Sequence, residues 1–163
     1  MERVSIFVDV QNIYYTTKQN FNCHFNYNNF MSEATKERQL VKAIAYATDK
    51  GDAKQIKFQR ILENIGFEIK LKPFIKRNDG SRKGDWDVGI TIDILDYVNK
   101  SDVMVLASGD GDFDLLAAKV KNDYNVIFEV YGVQDLTATS LIENASKYIP
   151  IKGSLLLQNQ DRQ

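Results

Sequence analysis

The stretch VSIFVDVQN, residues 4–12, decides the fold class of this chain. Its β-branched and aromatic residues form an almost unbroken apolar run over residues 4–10, and the only charge in that run is Asp9. Such runs are typical of strands that are covered on both faces, as in a parallel sheet. Val103–Ala107 and residues 126–130 follow the same pattern. The sequence therefore predicts a buried, mainly parallel sheet.

Helical segments separate these strands along the chain. The alternation of the two element types predicts an α/β domain in which helices cover both faces of the sheet, a three-layer α/β/α fold. A further strand is predicted over residues 67–71. The predicted helices are residues 53–64, closed by Gly66, and residues 86–98, 113–122 and 136–147. Residues 28–35 fit a short helix, and residues 40–48 fit either a strand or a helix, with the strand favoured by the turn signal that follows.

The composition is that of an ordinary globular domain. The chain has 163 residues, of which 44% are hydrophobic and 26% charged, and its net charge is −1. Such a length predicts one domain, over residues 1–157, with a disordered polar tail over residues 158–163. The charge balance excludes a globally basic nucleic-acid binder, although local basic patches can still bind nucleic acid.

The rare residues and the apolar runs exclude several further classes. Cys23 and His24 are the only cysteine and histidine, so a disulfide within the chain and a Cys/His zinc cluster are excluded. The sequence has no basic leader and no apolar run near the ~20 residues that span a bilayer. We therefore expect a soluble, cytoplasmic protein without a membrane partner, and the formation of a homodimer stays open.

Acidic residues follow two of the predicted strands and open a helix. Asp9 ends the first strand, and Asp110 and Asp112 lie directly after Val103–Ala107. Asp85 and Asp87 open the helix that leads into that strand. In an open α/β sheet, functional groups gather beyond the carboxyl ends of the strands. If the strands are neighbours, Asp9, Asp87, Asp110 and Asp112 converge on one pocket.

Four carboxylates in one pocket point to a metal site. Like charges raise one another's pKa, and a divalent cation relieves the repulsion. Oxygen ligands without histidine favour Mg²⁺ or Mn²⁺ over zinc, and phosphodiester hydrolysis is the typical chemistry of such a site. Taken singly, Asp85 and Asp112 are better explained as helix caps. Their joint position with Asp9 favours a shared site.

Three polar residues near these acids have supporting roles in this hypothesis. Asn12 either positions a water molecule or a phosphate oxygen, or holds the turn after Asp9. Asp93 lies six residues after Asp87, on a different side of the helix, so we place it behind the ligands or in a structural role. Ser108, at the start of the loop that carries Asp110, is placed behind the ligands as well.

A basic segment precedes Asp85. Its cations could hold nucleic-acid phosphates beside the metal, or they form an ordinary solvated strand edge. Tyr14 and Tyr15 follow Asp9, and either ring could stack on a base. The cations of the basic segment, residues 70–83, are Lys70, Lys72, Lys76, Arg77, Arg82 and Lys83.

Three motifs together resemble those of a known family. They are FVDVQN at residues 7–12, KGDWDV at residues 83–88 with Asp93 downstream, and SGDGDF at residues 108–113. In order and approximate spacing they resemble the signature motifs of the NYN domain family, in its LabA-like branch, a relative of the PIN nucleases. The resemblance covers about residues 3 to 150.

The resemblance implies a PIN-like fold with a central, largely parallel sheet and a metal-dependent ribonuclease site. A classical PIN domain also has a glutamate on an earlier helix, for which Glu33 and Glu37 are both candidates, so the number of metal ions stays open. The family's motif positions fall on Asp9 and Asn12, on Asp87 and Asp93, and on Asp110 and Asp112.

Three hypotheses follow. In the first, the chain is a Mg²⁺- or Mn²⁺-dependent endoribonuclease, whose metal is held by the four aspartates of the pocket and whose substrate is positioned by Asn12. Its RNA is bound by Lys72, Lys76, Arg77, Arg82, Lys83 and Tyr14. In the second, the chain is a non-catalytic RNA-binding or regulatory module. A phosphatase acting on small phosphate esters is a third hypothesis, which we favour less.

Overall fold

The computed structural model describes residues 1–73, 75–76, 82–83 and 85–158. Helices and strands alternate along most of this length. Short 3-10 turns lie at Val98–Lys100, Gly111–Phe113, Gln134–Leu136 and Gly153–Leu155. The strands are β1 (Glu2–Asp9), β2 (His24–Phe25), β3 (Arg38–Asp49), β4 (Glu68–Pro73), β5 (Ile75–Lys76), β6 (Arg82–Lys83), β7 (Val103–Ala107), β8 (Ile127–Gly132), β9 (Lys147–Pro150) and β10 (Leu156–Leu157). The helices are α1 (Val10–Phe21), α2 (Tyr27–Ala34), α3 (Ala53–Ile65), α4 (Asp87–Tyr97), α5 (Asp114–Asp123) and α6 (Thr139–Asn144).

Six of the strands form one parallel sheet in the order β4-β3-β1-β7-β8-β9. The first strand lies in the middle of this sheet, where Val8 is in register with Ala45 on one side and with Ala107 on the other. The alternating residues of β1 are buried on both faces, as the continuous apolar run requires. The predicted α/β fold with a central parallel sheet is confirmed.

Helices cover both faces of the sheet, and each face has its own apolar core. One core joins the sheet to α1, α2 and α3 through Ile13, Phe30 and Leu62. The other core joins it to α4, α5 and α6 through Ile90, Leu116 and Leu141. The three-layer arrangement predicted from the alternation of elements is therefore present.

Most of the predicted elements are present with small shifts at their ends. The stretch that fitted either a strand or a helix is the strand β3, and the short helix predicted over residues 28–35 is α2. The helix predicted over residues 53–64 is α3, and Gly66 follows it with a φ of 125°, a backbone conformation that favours glycine. Sequence patterning thus identified the elements that build the centre of the sheet.

The helix predicted over residues 136–147 is present in only half of its length. Only Thr139–Asn144 is helical, and Lys147–Pro150 is the edge strand β9. Contacts with β8 redirect the chain, because Ser146 N donates to the carbonyl oxygen of Phe128 at 2.8 Å and Phe128 N donates to Ser146 Oγ at 2.9 Å. These contacts are non-local, so the local helical pattern did not reveal them.

The basic segment begins in the edge strand β4 and continues into a short antiparallel pair. Lys76 of β5 is in register with Arg82 of β6. Arg77, residues 78–81 and the tail residues 159–163 lie outside the described residues. Within the described part of the chain, no helix is both long enough and apolar enough to cross a membrane.

Candidate metal centre

The topology of the sheet places one crevice at the carboxyl end of β1. From β1 the chain builds outward to β3 and β4, and then returns across the sheet through α4 to build β7, β8 and β9 on the other side. The strand order therefore reverses between β1 and β7, and ligands of open α/β sheets bind at such a point. Asp9 is the last residue of β1, and the loop that carries Asp110 follows β7.

Three carboxylates meet in this crevice. Asp9 is buried, whereas Asp87 and Asp110 are half-buried. Asp9, Asp87 and Asp110 each offer a carboxylate oxygen, and these oxygens lie within 4.8 Å of one another. They open into a cleft of about 250 Å³, which we call the carboxylate cleft. It is lined by Asp9, Gln11, Asn12, Tyr15, Thr16, Asp85, Asp87 and Asp110.

Hydrogen bonds hold Asp9 between β1, α1 and the loop after β7. Its Oδ1 accepts from the backbone N–H of Asn12 at 3.4 Å, as an N-cap of α1, and its Oδ2 accepts from Ser108 Oγ at 3.2 Å. Ser108 Oγ also accepts from the backbone N–H of Asp110 at 3.2 Å. Asn12 completes the connection, since its Oδ1 accepts from Gly109 N at 2.9 Å. The side chains of Ser108 and Asn12 therefore position the loop that carries Asp110.

The loop after β7 leaves little space at Gly109. A Cβ there would lie 2.8 Å from the carbonyl oxygen of Leu136 and 3.0 Å from Thr137 Oγ1. The N–H of Ala138 donates to the carbonyl oxygen of Gly109 at 3.0 Å. Close approach of the loops after β7 and β8 thus explains this glycine.

Asp112 is near the three carboxylates in sequence but has a different environment. It is exposed, and it is not a member of the group that meets within 4.8 Å. Its backbone N–H donates to Asp110 Oδ1 at 2.9 Å, so Asp110 caps the short turn at Gly111–Phe113. The structure thus brings three of the four predicted acids together.

Asp87 carries a buried oxygen that lacks a donor. Among the described residues, no group donates a hydrogen bond to Asp87 Oδ1. Burial raises the pKa of Asp87 well above its usual range, and the adjacent carboxylate of Asp110 raises it further. A buried acceptor without a partner is costly in a protein, and a cation bound among the three carboxylates would satisfy it.

Burial also acts on Asp9. It raises the pKa of Asp9 from 3.8 to about 6, against the hydrogen bonds from Asn12 and Ser108, which lower it. The charges of Asp110 and Asp85 add to the increase. Two of the three carboxyls thus bind protons more tightly than free aspartate does, as expected of like charges in one crevice.

Trp86 anchors the segment that presents Asp87. Its Nε1 donates to the carbonyl oxygen of Ala47 in β3 at 2.9 Å, and its ring packs against Tyr46 with centroids 5.3 Å apart. Lys72 of β4 places its Nζ 4.5 Å from the centre of the indole and donates to the carbonyl oxygen of Asp85 at 3.0 Å. Lys72, predicted to bind RNA, thus holds the turn before Asp87 in this structure.

Asp93 lies on α4 outside the group of three carboxylates. Its Oδ2 accepts from Tyr46 OH at 2.7 Å and from Lys70 Nζ at 2.8 Å. These contacts tie α4 to β3 and β4. The helical spacing that placed Asp93 away from the ligands is consistent with this position, and with a structural role.

The two tyrosines after Asp9 have different surroundings. Tyr14 stacks on His24 with centroids 5.9 Å apart and does not line the carboxylate cleft. Tyr15 does line it. Gln11, Thr16 and Tyr15 belong to the cleft because α1 starts at Val10. The sequence analysis predicts no helix over these residues, so helical spacing did not reveal that the three side chains share the cleft.

The donor set fits a hard divalent cation. All three members of the group are carboxylates, and Ca²⁺, Mg²⁺ and Mn²⁺ prefer such oxygen ligands. The orphan oxygen of Asp87 supplies a separate reason, because it points to a positively charged ligand. This crevice is therefore compatible with a metal site.

Comparison with known proteins finds a family model, a related protein and a similar crystal structure. The family model described as the NYN domain matches residues 3–154. Low amplitude and bright protein LabA of Synechococcus elongatus is 33% identical over 162 residues, covering 91% of this chain and 83% of LabA. The crystal structure of a protein of unknown function from Vibrio parahaemolyticus is 47% identical, covers 96% of each chain and has a TM-score of 0.91. The matched region contains all three carboxylates.

Proposed function

Because this chain belongs to the NYN domain family, we propose that it is a divalent-metal-dependent ribonuclease that hydrolyses RNA phosphodiester bonds. Asp9, Asp87 and Asp110 are the metal ligands in this proposal. The observation that carries it is the meeting of their three oxygens within 4.8 Å at the point where the strand order reverses. Oxygen ligands without histidine make Mg²⁺ or Mn²⁺ the expected ion.

The charge of the carboxylate cleft favours catalysis over simple binding. A module that only binds RNA gains nothing from three acids in its cleft, since without a cation they repel phosphate. When bound, a divalent cation lowers the pKa of water and stabilises the charge that develops on the scissile phosphate. The three acids therefore favour a function in which they hold a cation for hydrolysis, and they disfavour RNA binding without a metal.

Ser108 and Asn12 hold the proposed metal ligands in place. Ser108 donates to Asp9 and accepts from the N–H of Asp110, so it fixes the separation of two ligands. Asn12 fixes the same loop through Gly109. The raised pKa values of Asp9 and Asp87 mean that metal binding releases protons, so affinity for the cation should increase with pH.

The proposal includes the basic segment as the path of the RNA backbone. Replacing Lys76, Arg77 and Arg82 by alanine should weaken binding similarly for all sequences, because phosphate contacts carry no base identity. Each lost contact should reduce the slope of log affinity against log salt by about 0.7 for a single strand. Lys72 is left intact because it holds the turn at Asp85. If the triple variant and the parent have equal affinities and equal salt slopes, the RNA backbone is bound elsewhere on the protein.

The test of catalysis is cleavage of labelled single-stranded and structured RNAs with Mg²⁺, with Mn²⁺ and with chelator. We expect metal-dependent cleavage that is lost in Asp87→Asn and Asp110→Asn. Asp123→Asn is the matched control, because Asp123 is exposed and its pairing with Lys119 is a surface contact of little energetic weight.

Two outcomes would contradict this proposal. Cleavage that persists in both site variants at the rate of the parent would mean that the carboxylates are not the site. RNA binding without cleavage under any metal condition would leave the non-catalytic module as the function.

A further inference from the structure

An exposed tyrosine lies beside the three carboxylates. Tyr15 is 46% exposed and lines the carboxylate cleft together with Asp9, Asp87 and Asp110. A large aromatic side chain with this exposure next to charged groups has given up apolar burial that the fold could otherwise use. The ring therefore offers an apolar face to a ligand bound in the carboxylate cleft.

The geometry of α1 directs this ring toward the site. The helix begins directly after Asp9, and Tyr15 lies one turn beyond Gln11 on the same face. Side chains on a helix lean toward its N-terminus, so Tyr15 leans toward the end of α1 that Asp9 caps. Its edge-to-face contact with Tyr14, with centroids 5.5 Å apart, supports the ring from the side.

Tyr14 has a different role although it is exposed to a similar extent. Its ring stacks on His24 at an interplanar angle of 24°, and Lys18 Nζ lies 5.6 Å from the ring centre. Lys18 also donates to Tyr14 OH at 3.4 Å. These contacts occupy the Tyr14 ring within the protein, whereas in the described part of the chain the only ring contact of Tyr15 is with Tyr14.

From these contacts we infer that Tyr15 stacks on a nucleobase next to the scissile phosphate, so that the substrate is RNA with an unpaired base at the cleavage site. The inference rests on the proposed function and names its substrate class. An aromatic ring accepts every base, since each has a π-face, and it requires no positive charge in an acidic cleft. Bases inside a duplex are stacked on one another and cannot reach such a ring, so paired RNA is a poor ligand.

Binding and base stacking are measured together on an inactive background. All proteins carry Asp110→Asn to prevent turnover, and the ligand is a short single-stranded RNA containing 2-aminopurine, or the same strand in a duplex. Tyr15→Leu should weaken single-strand affinity by about tenfold and remove the change in 2-aminopurine fluorescence. Tyr15→Phe keeps the ring and should bind within about twofold of the Asp110→Asn protein. Tyr14→Leu should lose less than Tyr15→Leu.

Tyr124→Leu is the matched control for removal of a partly exposed tyrosine, because Tyr124 lies at the end of α5 and outside the cleft. Unchanged affinity in Tyr15→Leu, or a duplex that binds as tightly as the single strand, would overturn the inference. So would the absence of any single-strand binding.

The outcome is separable from the test of catalysis. If the parent cleaves no RNA but the expected binding pattern holds, the proposed hydrolysis fails and base recognition stands. If the parent cleaves RNA and Tyr15→Leu binds and cleaves as well as its parent, only the inference on Tyr15 fails.

Discussion

Replacing Asp9 by asparagine should stabilise the metal-free protein at neutral pH. Burial raises the pKa of Asp9 from 3.8 to about 6, so the folded state binds this proton more tightly than the unfolded state does. Between about pH 4 and pH 6 the folded state therefore holds more protons, and the free energy of unfolding falls as the pH rises through this range. Above that range the buried, ionised carboxylate lowers the free energy of unfolding by its full amount. Below that range Asp9 is protonated in both states, and this loss of stability disappears.

The size of the effect follows from the shift in pKa. The rise in pKa from 3.8 to about 6 corresponds to about 3 kcal/mol, since each pKa unit is worth 1.36 kcal/mol. Asparagine keeps an acceptor for the N–H of Asn12, and its amide group can donate to Ser108 Oγ, so the loss of hydrogen bonding is small. We expect Asp9→Asn to be more stable than the parent by about 1 to 3 kcal/mol at pH 7 and equal to it near pH 4.

Urea unfolding followed by circular dichroism, in chelator and at several pH values, measures this difference. The comparison of variant with parent cancels the titration of the acids far from Asp9. The repulsion between Asp9 and Asp87, which the variant also removes, adds to its gain at neutral pH. Asp123→Asn serves as the control, because its carboxylate is exposed and should show no such pH-dependent gain. A difference between Asp9→Asn and the parent that stays constant from pH 4 to pH 7 would refute the argument from burial.

Three further predictions concern the ligands and their support. Mn²⁺ at a hundredfold excess over its Kd should stabilise the parent by about 2.7 kcal/mol in thermal unfolding, and Asp87→Asn should lose this effect. Asp112→Asn should lower the single-turnover cleavage rate less than Asp110→Asn, because Asp112 is exposed and outside the group of three carboxylates; equal losses would argue for a fourth ligand. Gly89→Ala should destabilise the protein by about 1 to 3 kcal/mol in urea unfolding, because its Cβ would lie 2.7 Å from Cε3 of Trp86.

The centre of the fold could be predicted from the sequence because its signals are local. Continuous apolar runs predicted β1 and β7, and both are central strands. The edge strand β9 could not be predicted in this way, because its residues pair with the distant strand β8, as Tyr148 does with Val130, and the contact of Ser146 with Phe128 precedes that pairing. The helical pattern was outweighed only after Asn144, where the edge of the sheet offered hydrogen bonds to the chain.

The part of the candidate site that depends on strand order could be predicted from the sequence. Asp9 and Asp110 follow adjacent parallel strands, so their proximity follows from strand order alone. The exposure of Asp112 depends on how the turn at Gly111–Phe113 is capped, which spacing did not reveal. The sequence offered both Tyr14 and Tyr15 as residues that could stack on a base. The helix α1, which starts at Val10, places Tyr15 and not Tyr14 in the carboxylate cleft.

The position of Asp87 requires both halves of the sheet. Trp86 is held by Ala47 of β3 and Lys72 of β4, on one side of β1, whereas Asp110 follows β7 on the other side. The crossover that starts at Asp87 therefore joins the two halves of the sheet, and the apolar core on each face extends across both halves. Because like charges oppose the approach of Asp87 to its partners, contacts of the indole with the sheet must hold the carboxylate there when no cation is bound. The fold supplies the free energy that keeps the site assembled, and a cation would then bind to a preformed arrangement.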